Sequence, residues 1–355
     1  MYMQLGNKTL ELALIQGGMG VGVSLSGLAG AVAAEGGMGV ISSANIGFDE
    51  PDFLERPHEA NIRALKKHII RAKEISGGRG LIGVNIMTAV TGYAESCRAA
   101  IEAGADAIIS GAGLPLKLSE YVGESDTLFA PIVSSGKAAA LLCRSYMRHG
   151  GRLPDFFVME GSKAGGHLGF SQEELLNGTA KSNTELVREV IDAVAPYREA
   201  KGSDIPVFAA GGVYDAEDCR QMLEAGASGV QIGTRFIATE ECDASQVFKD
   251  TLINCREDDI MIIKSPVGMP ARAVRTPLLE RLAAGEQFRA KLCNRCLNAC
   301  PGPAEAVYCI SRALIAAVRG DYEEGLFFCG SNAARLDKMT TVHELCGEFR
   351  KCLEG

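Results

Sequence analysis

Eight short apolar runs, separated by longer stretches of helical pattern, constrain this chain more than any other feature. The runs are Leu12–Gln16, Met38–Ser42, Leu81–Ile86, Ala107–Ser110, Leu128–Val133, Phe156–Glu160, Pro206–Ala210 and Gly229–Ile232. Helical patterns lie between them at Ser26–Glu35, Ile62–Ile75, Tyr93–Ala103, Lys137–Arg148, Thr184–Tyr197 and Ala216–Ala225. Strands alternating with helices of this length form parallel βαβ units, because a parallel neighbour can be reached only by a crossover. Near-continuous apolar strands are buried on both faces. Eight such units predict an α/β fold, a (β/α)8 TIM barrel, with a doubly wound open sheet as the alternative. Three helix-to-strand junctions repeat one shape: Glu35 to Ile41, Glu102 to Ile108 and Glu224 to Val230. Each ends its helix with a glycine suited to a left-handed cap.

Composition narrows the function. The 355 residues include 42 glycines, no tryptophan and only 6% aromatics. Tight turns and close backbone approach to a ligand fit that balance better than a stacking platform. Lys and Arg number 36 against 44 Asp and Glu, a net charge of −8. Nucleic acid and anionic membrane surfaces both demand a basic footprint, so neither is expected as a partner. No run reaches the ~18 apolar residues of a membrane span. Met1 to Lys8 lacks the basic start and apolar core of a signal peptide. A cytoplasmic location is therefore expected, with the 12 cysteines reduced or metal-bound.

Cysteine placement divides the chain. Cys97, Cys143, Cys219, Cys242 and Cys255 are scattered, whereas seven cysteines fall between Cys293 and Cys352. The shift separates a barrel over 1–285 from a Cys-rich helical appendage over 286–355. Cys293, Cys296, Cys300 and Cys309 have the spacing C-x2-C-x3-C-x8-C. It suits a [4Fe–4S] cluster, with zinc or unligated thiols as alternatives. Cys329, Cys346 and Cys352 read as small buried hydrophobes or surface thiols.

A barrel of this kind gathers its chemistry where the strands end. Gln16-Gly17-Gly18-Met19-Gly20 follows the first strand, and Asn85 interrupts the apolar third. The sixth strand ends at Glu160, and Gly161-Ser162-Lys163-Ala164-Gly165-Gly166-His167 follows. A histidine beside small residues at a strand end is suited to proton transfer. Gly211-Gly212 and Gly233-Thr234 follow strands seven and eight, where barrels commonly hold a phosphate. Plain tight turns would have the same composition. Lys264 to Arg275 holds two prolines and a glycine and is read as irregular. Its arginines either close over an anionic ligand or decorate a solvated connector.

These motifs resemble the nitronate monooxygenases, formerly called 2-nitropropane dioxygenases, whose signature is shared by flavin-dependent enoyl-acyl-carrier-protein reductases. The resemblance runs from about Leu12 to Leu282 and rests chiefly on Ala164-Gly165-Gly166-His167 and Gly233-Thr234-Arg235-Phe236. It implies an FMN-binding barrel. Gly18, Met19 and Asn85 would lie along the flavin ring. Gly211, Gly212, Gly233 and Thr234 would hold the phosphate. Gln231, Ala164, Gly165 and Gly166 would touch the ring, ribityl chain or phosphate side, and Glu160 is counted with them. His167 would be the catalytic residue. The implied reaction is oxidation of nitronates by oxygen to carbonyl compounds and nitrite. The alternative is NAD(P)H-dependent reduction of an enoyl thioester or a quinone. The partner is then a small molecule, with NAD(P)H only under that alternative, and a homodimer is left open. Two departures stand out: Ala13-Leu14-Ile15 where relatives carry a proline, and a long polar segment from Phe170 to Asn183.

Overall fold

A computed structural model describes residues 2–289, 293–298 and 300–354. Eight parallel strands close into a barrel: β1 (Leu14–Gln16), β2 (Met38–Ser42), β3 (Leu81–Met87), β4 (Ala107–Gly111), β5 (Leu128–Val133), β6 (Phe157–Glu160), β7 (Val207–Ala210) and β8 (Gly229–Ile232). β8 pairs with β1 through Gln231 and Ile15, so the sheet has no open edge. The closed barrel is the predicted fold, and the open-sheet alternative is excluded.

Side-chain alternation along the strands builds two cores. Ile15, Met38, Val40, Ile109, Ala130, Val158 and Phe208 form one buried cluster. Leu14, Ile41, Val84, Ile108, Phe129, Phe157 and Val230 belong to another, shared with the surrounding helices. Leu5 and Leu10 come from a hairpin, Met3–Leu5 with Lys8–Leu10, and join the first cluster beside Leu81, Leu128 and Phe156. These three begin or precede their strands, so the hairpin plugs the N-terminal mouth. Helix and strand approach closely where glycine allows it. A Cβ on Gly39 of β2 would lie 1.9 Å from the Ala29 carbonyl oxygen of helix Ser26–Ala34.

Two features depart from the sequence reading. The Lys264–Arg275 segment is not irregular. Ile260–Lys264 and Pro270–Val274 form an antiparallel ribbon, and Gly166–His167 adds a third strand to it. Pro266 and Gly268 sit in the connecting turn and Pro270 begins a strand, where a missing N–H is tolerated. The C-terminal residues also pack into the barrel's own core. Helix Val342–Leu353 buries Val342, Leu345, Cys346 and Phe349, spaced to make one apolar stripe. It packs against helices Ala216–Glu224 and Ser26–Ala34. Among the described residues no helix is long and apolar enough to cross a membrane.

Candidate active site

The strand-end loops singled out in the sequence open into one cavity at the C-terminal ends of the strands, whereas no residue of the Lys264–Arg275 segment lines it. It is lined by Gly18, Met19, Asn85, Glu160, Ala164, Gly165, Gly166, His167, Gly211, Gly212, Gln231, Gly233 and Thr234. Every one of the expected cofactor and catalytic positions is thus on its wall.

Strand register sets the floor. Ala210 of β7 stands opposite Glu160 of β6 on one side and Gln231 of β8 on the other. Asn85 lies on β3 opposite Ser42. The loop after β1 folds over this floor, with the Met19 N–H donating to Ser24 Oγ at 2.8 Å. Gly18 presses on β3 so closely that a Cβ there would lie 2.3 Å from that of Asn85. The side chains of Asn85, Glu160 and Gln231 make no hydrogen bond to any described residue, although all three line the cavity. Burial pushes the Glu160 carboxyl up to about 7.

His167 is held from two sides. Its Nε2 lies 2.9 Å from Ser265 Oγ, at the turn of the ribbon. Phe328 meets its ring edge-on, with centroids 5.5 Å apart. Burial pushes the imidazole down to about 4, so the ring is neutral at pH 7. A neutral imidazole and a carboxyl titrating near neutrality are each suited to exchange protons with a bound molecule.

At the far end, Gly211 and Gly212 follow β7 with φ of +85° and +102°, and Gly233-Thr234 follows β8. Positive φ at two successive positions turns these peptides in a way that side-chain-bearing residues rarely adopt. Arg235 at this end is already engaged. It donates to Glu348 and to the Tyr214 carbonyl, and it stacks on the Tyr214 ring.

The remaining wall was missed by sequence reasoning. Leu314, Phe328, Cys329, Gly330 and Asn332 come from the segment read as an appendage. Cys329, read as an ordinary thiol, is 2% exposed and faces the cavity. None of these residues has a type or spacing that marks a site. Ser265 could have been found, because Ile260-Met261-Ile262-Ile263 just before it is a strand-like run.

The four-thiolate expectation finds no support. Among the described residues no three His, Cys, Asp or Glu side chains gather closely enough to hold a metal ion. Cys296 Sγ instead lies 3.0 Å from Ser311 Oγ, and Cys293 is exposed, accepting from the Arg295 N–H.

A closed (β/α)8 barrel with a glycine-walled cavity at its strand ends and a buried histidine on its wall has the architecture of a barrel enzyme. The chain belongs to the nitronate monooxygenase family, whose model matches residues 4–350 and whose members are flavin-dependent oxidoreductases. Among curated relatives, an octahydro-indene carboxyl-CoA dehydrogenase of Mycobacterium tuberculosis is 28% identical over 280 residues, 79% of this chain and 68% of that protein. Proteins of Staphylococcus aureus named "Probable nitronate monooxygenase" are 33% identical over 132 residues, 37% of this chain; the match spans only 35% of their length. FabK from Thermotoga maritima superposes with a TM-score of 0.72 at 26% identity, covering 97% of this chain and 94% of that one. A nitroalkane oxidase from Streptomyces ansochromogenes shares the fold, with a TM-score of 0.72 at 20% identity over 97% of this chain and 96% of that one.

Proposed function

We propose that this protein is an FMN-dependent oxidoreductase that oxidises nitronates with oxygen, releasing a carbonyl compound and nitrite. The observation that carries the reading is the set of cavity-lining Asn85, Glu160 and Gln231, polar side chains without a hydrogen-bond partner among the described residues. Each is half-buried with its polar end open to the cavity, so a polar ligand seated there would find three donors and acceptors not already engaged. A flavin ring has donors and acceptors along its edge, and the glycine walls would admit its faces. Gly211, Gly212, Gly233 and Thr234 would hold its phosphate. These residues fit the group.

When bound, FMN supplies the one- and two-electron redox chemistry. The chain's own residues bind, orient and move protons. Neutral His167 holds a proton on one ring nitrogen and can accept one on the other. Ser265 fixes the ring's orientation. His167 lacks a positive charge, so its part toward an anionic nitronate is a hydrogen bond rather than an ion pair. Phe328 and Leu314 keep water away from that wall.

A second reading is NAD(P)H-dependent reduction of an acyl thioester. It is favoured by the mycobacterial relative, which is named for a carboxyl-CoA substrate and aligns over most of this chain. The test is direct. Purified protein should be yellow, consume a simple alkyl nitronate aerobically and release nitrite. Rapid anaerobic bleaching by NADH or NADPH, with no nitronate turnover, would favour the second reading. Colourless protein that binds no added flavin would overturn both.

A further inference from the structure

Two asparagines that the sequence did not mark hold the peptides of the Gly211-Gly212 turn. The Asn183 side-chain amide donates to the Gly211 carbonyl. The Asn332 amide donates to the Gly212 carbonyl at 2.7 Å. Only the nitrogen of an amide side chain can donate to a carbonyl, which fixes both side-chain orientations. Within a peptide unit the C=O and the next N–H point in opposite directions. Tying both carbonyls to asparagines therefore aims the N–H groups of Gly212 and Val213 the other way. Neither N–H finds an acceptor among the described residues, and both residues line the cavity.

The same C-terminal turn sets the third donor. The Gly330 N–H donates to Thr234 Oγ1 at 2.8 Å, so the hydroxyl serves that contact as an acceptor and keeps its own proton for another partner. The Ser331 N–H donates to the Lys163 carbonyl at 3.0 Å, seating the turn on the loop after β6. Arg335 then anchors the segment, paired with Asp215 at 2.6 Å and stacked on Tyr214 at 4.0 Å.

We propose that Asn183 and Asn332 are positioning residues which orient the Gly212 and Val213 N–H groups toward the flavin phosphate, with the 330–332 turn completing that anion site. The proposal rests on the FMN reading above and adds to it which residues build the phosphate end. An anion between two turns needs N–H groups already aimed at it. Without the asparagines, the glycine peptides are free to rotate.

The experiment compares FMN with riboflavin, which has the same ring and ribityl chain but no phosphate. Each is titrated onto flavin-stripped protein by fluorescence. Asn332→Ala and Asn183→Ala should each weaken FMN roughly tenfold, the scale of one hydrogen bond, and leave riboflavin within about twofold. The double variant should approach the riboflavin affinity. Equal weakening of both flavins, or of neither, would overturn the proposal. If one variant does not fold, the other tests the neighbouring carbonyl. Wild-type protein that binds FMN no better than riboflavin would instead defeat the phosphate assignment itself.

Discussion

The loops at the strand ends and the residues beyond 286 build the same cavity by different means. The strand-end loops work through backbone: Gly18, Gly165, Gly212 and Gly233 have no side chain to obstruct a ligand. The C-terminal segment works through placement. Phe328 braces His167, Gly330 orients Thr234, and Asn332 holds Gly212. The first kind of contribution leaves a compositional trace and the second leaves almost none. A segment can be indispensable to a site while looking like an attachment to it.

Four measurements would break or sharpen that contrast. The largest effect is expected at the strand-end histidine. His167→Ala should fold and keep flavin but lose about 10²–10⁴ in turnover, the usual contribution of a general acid or base. A loss below threefold in kcat would make the residue structural. Phe349→Ala comes next and tests the C-terminal segment. Phe349 is fully buried in the shared core, so the change should cost about 3–5 kcal/mol of stability in denaturant unfolding. One cooperative transition would show barrel and segment unfolding together. An early separate transition, leaving the barrel intact, would restore the view of an independent appendage.

The third measurement is pH dependence. With the His167 pKa lowered to about 4, turnover that needs a neutral imidazole should hold down to about pH 5. A limb near the ordinary histidine value of 6.5 would contradict burial as the controlling cause. In stability the unfolded histidine binds a proton that the folded one does not between 6.5 and 4, so its contribution is lost as pH falls through that window. Glu160 acts in reverse. Its pKa is raised from 4.5 to about 7, so its contribution is full below 4.5 and is lost as pH rises through 7. Glu160→Gln in flavin-free protein should remove that second slope. The smallest effect belongs to Ser265→Ala, which frees the imidazole ring and should lower kcat severalfold while leaving flavin affinity unchanged. No change in kcat would leave Phe328 as the residue that orients His167.

The barrel was legible because burial on both faces writes itself into each strand as an unbroken apolar run. β2, β5 and β8 therefore lie near or at their expected bounds. The N-terminal hairpin was not, since Leu5 and Leu10 are isolated apolar residues in polar surroundings. Nor was the ribbon that carries Ser265, where two prolines and a glycine outweighed the Ile260–Ile263 signal. The cysteines have a suggestive spacing at 293, 296, 300 and 309, but among the described residues no three metal-ligating side chains gather closely enough to hold an ion.

The sequence by itself determined the α/β alternation, the closed barrel and the glycine-rich strand ends that line the cavity. Those are local properties, written in periodicity and in glycine. Only the tertiary structure decided that burial lowers the His167 pKa, that Asn183 and Asn332 both hold carbonyls of one turn, and that residues near 330 wall the cavity. Burial, and hydrogen bonds between residues 28 and 120 positions apart, arise when distant segments meet. No pattern within either segment records the other.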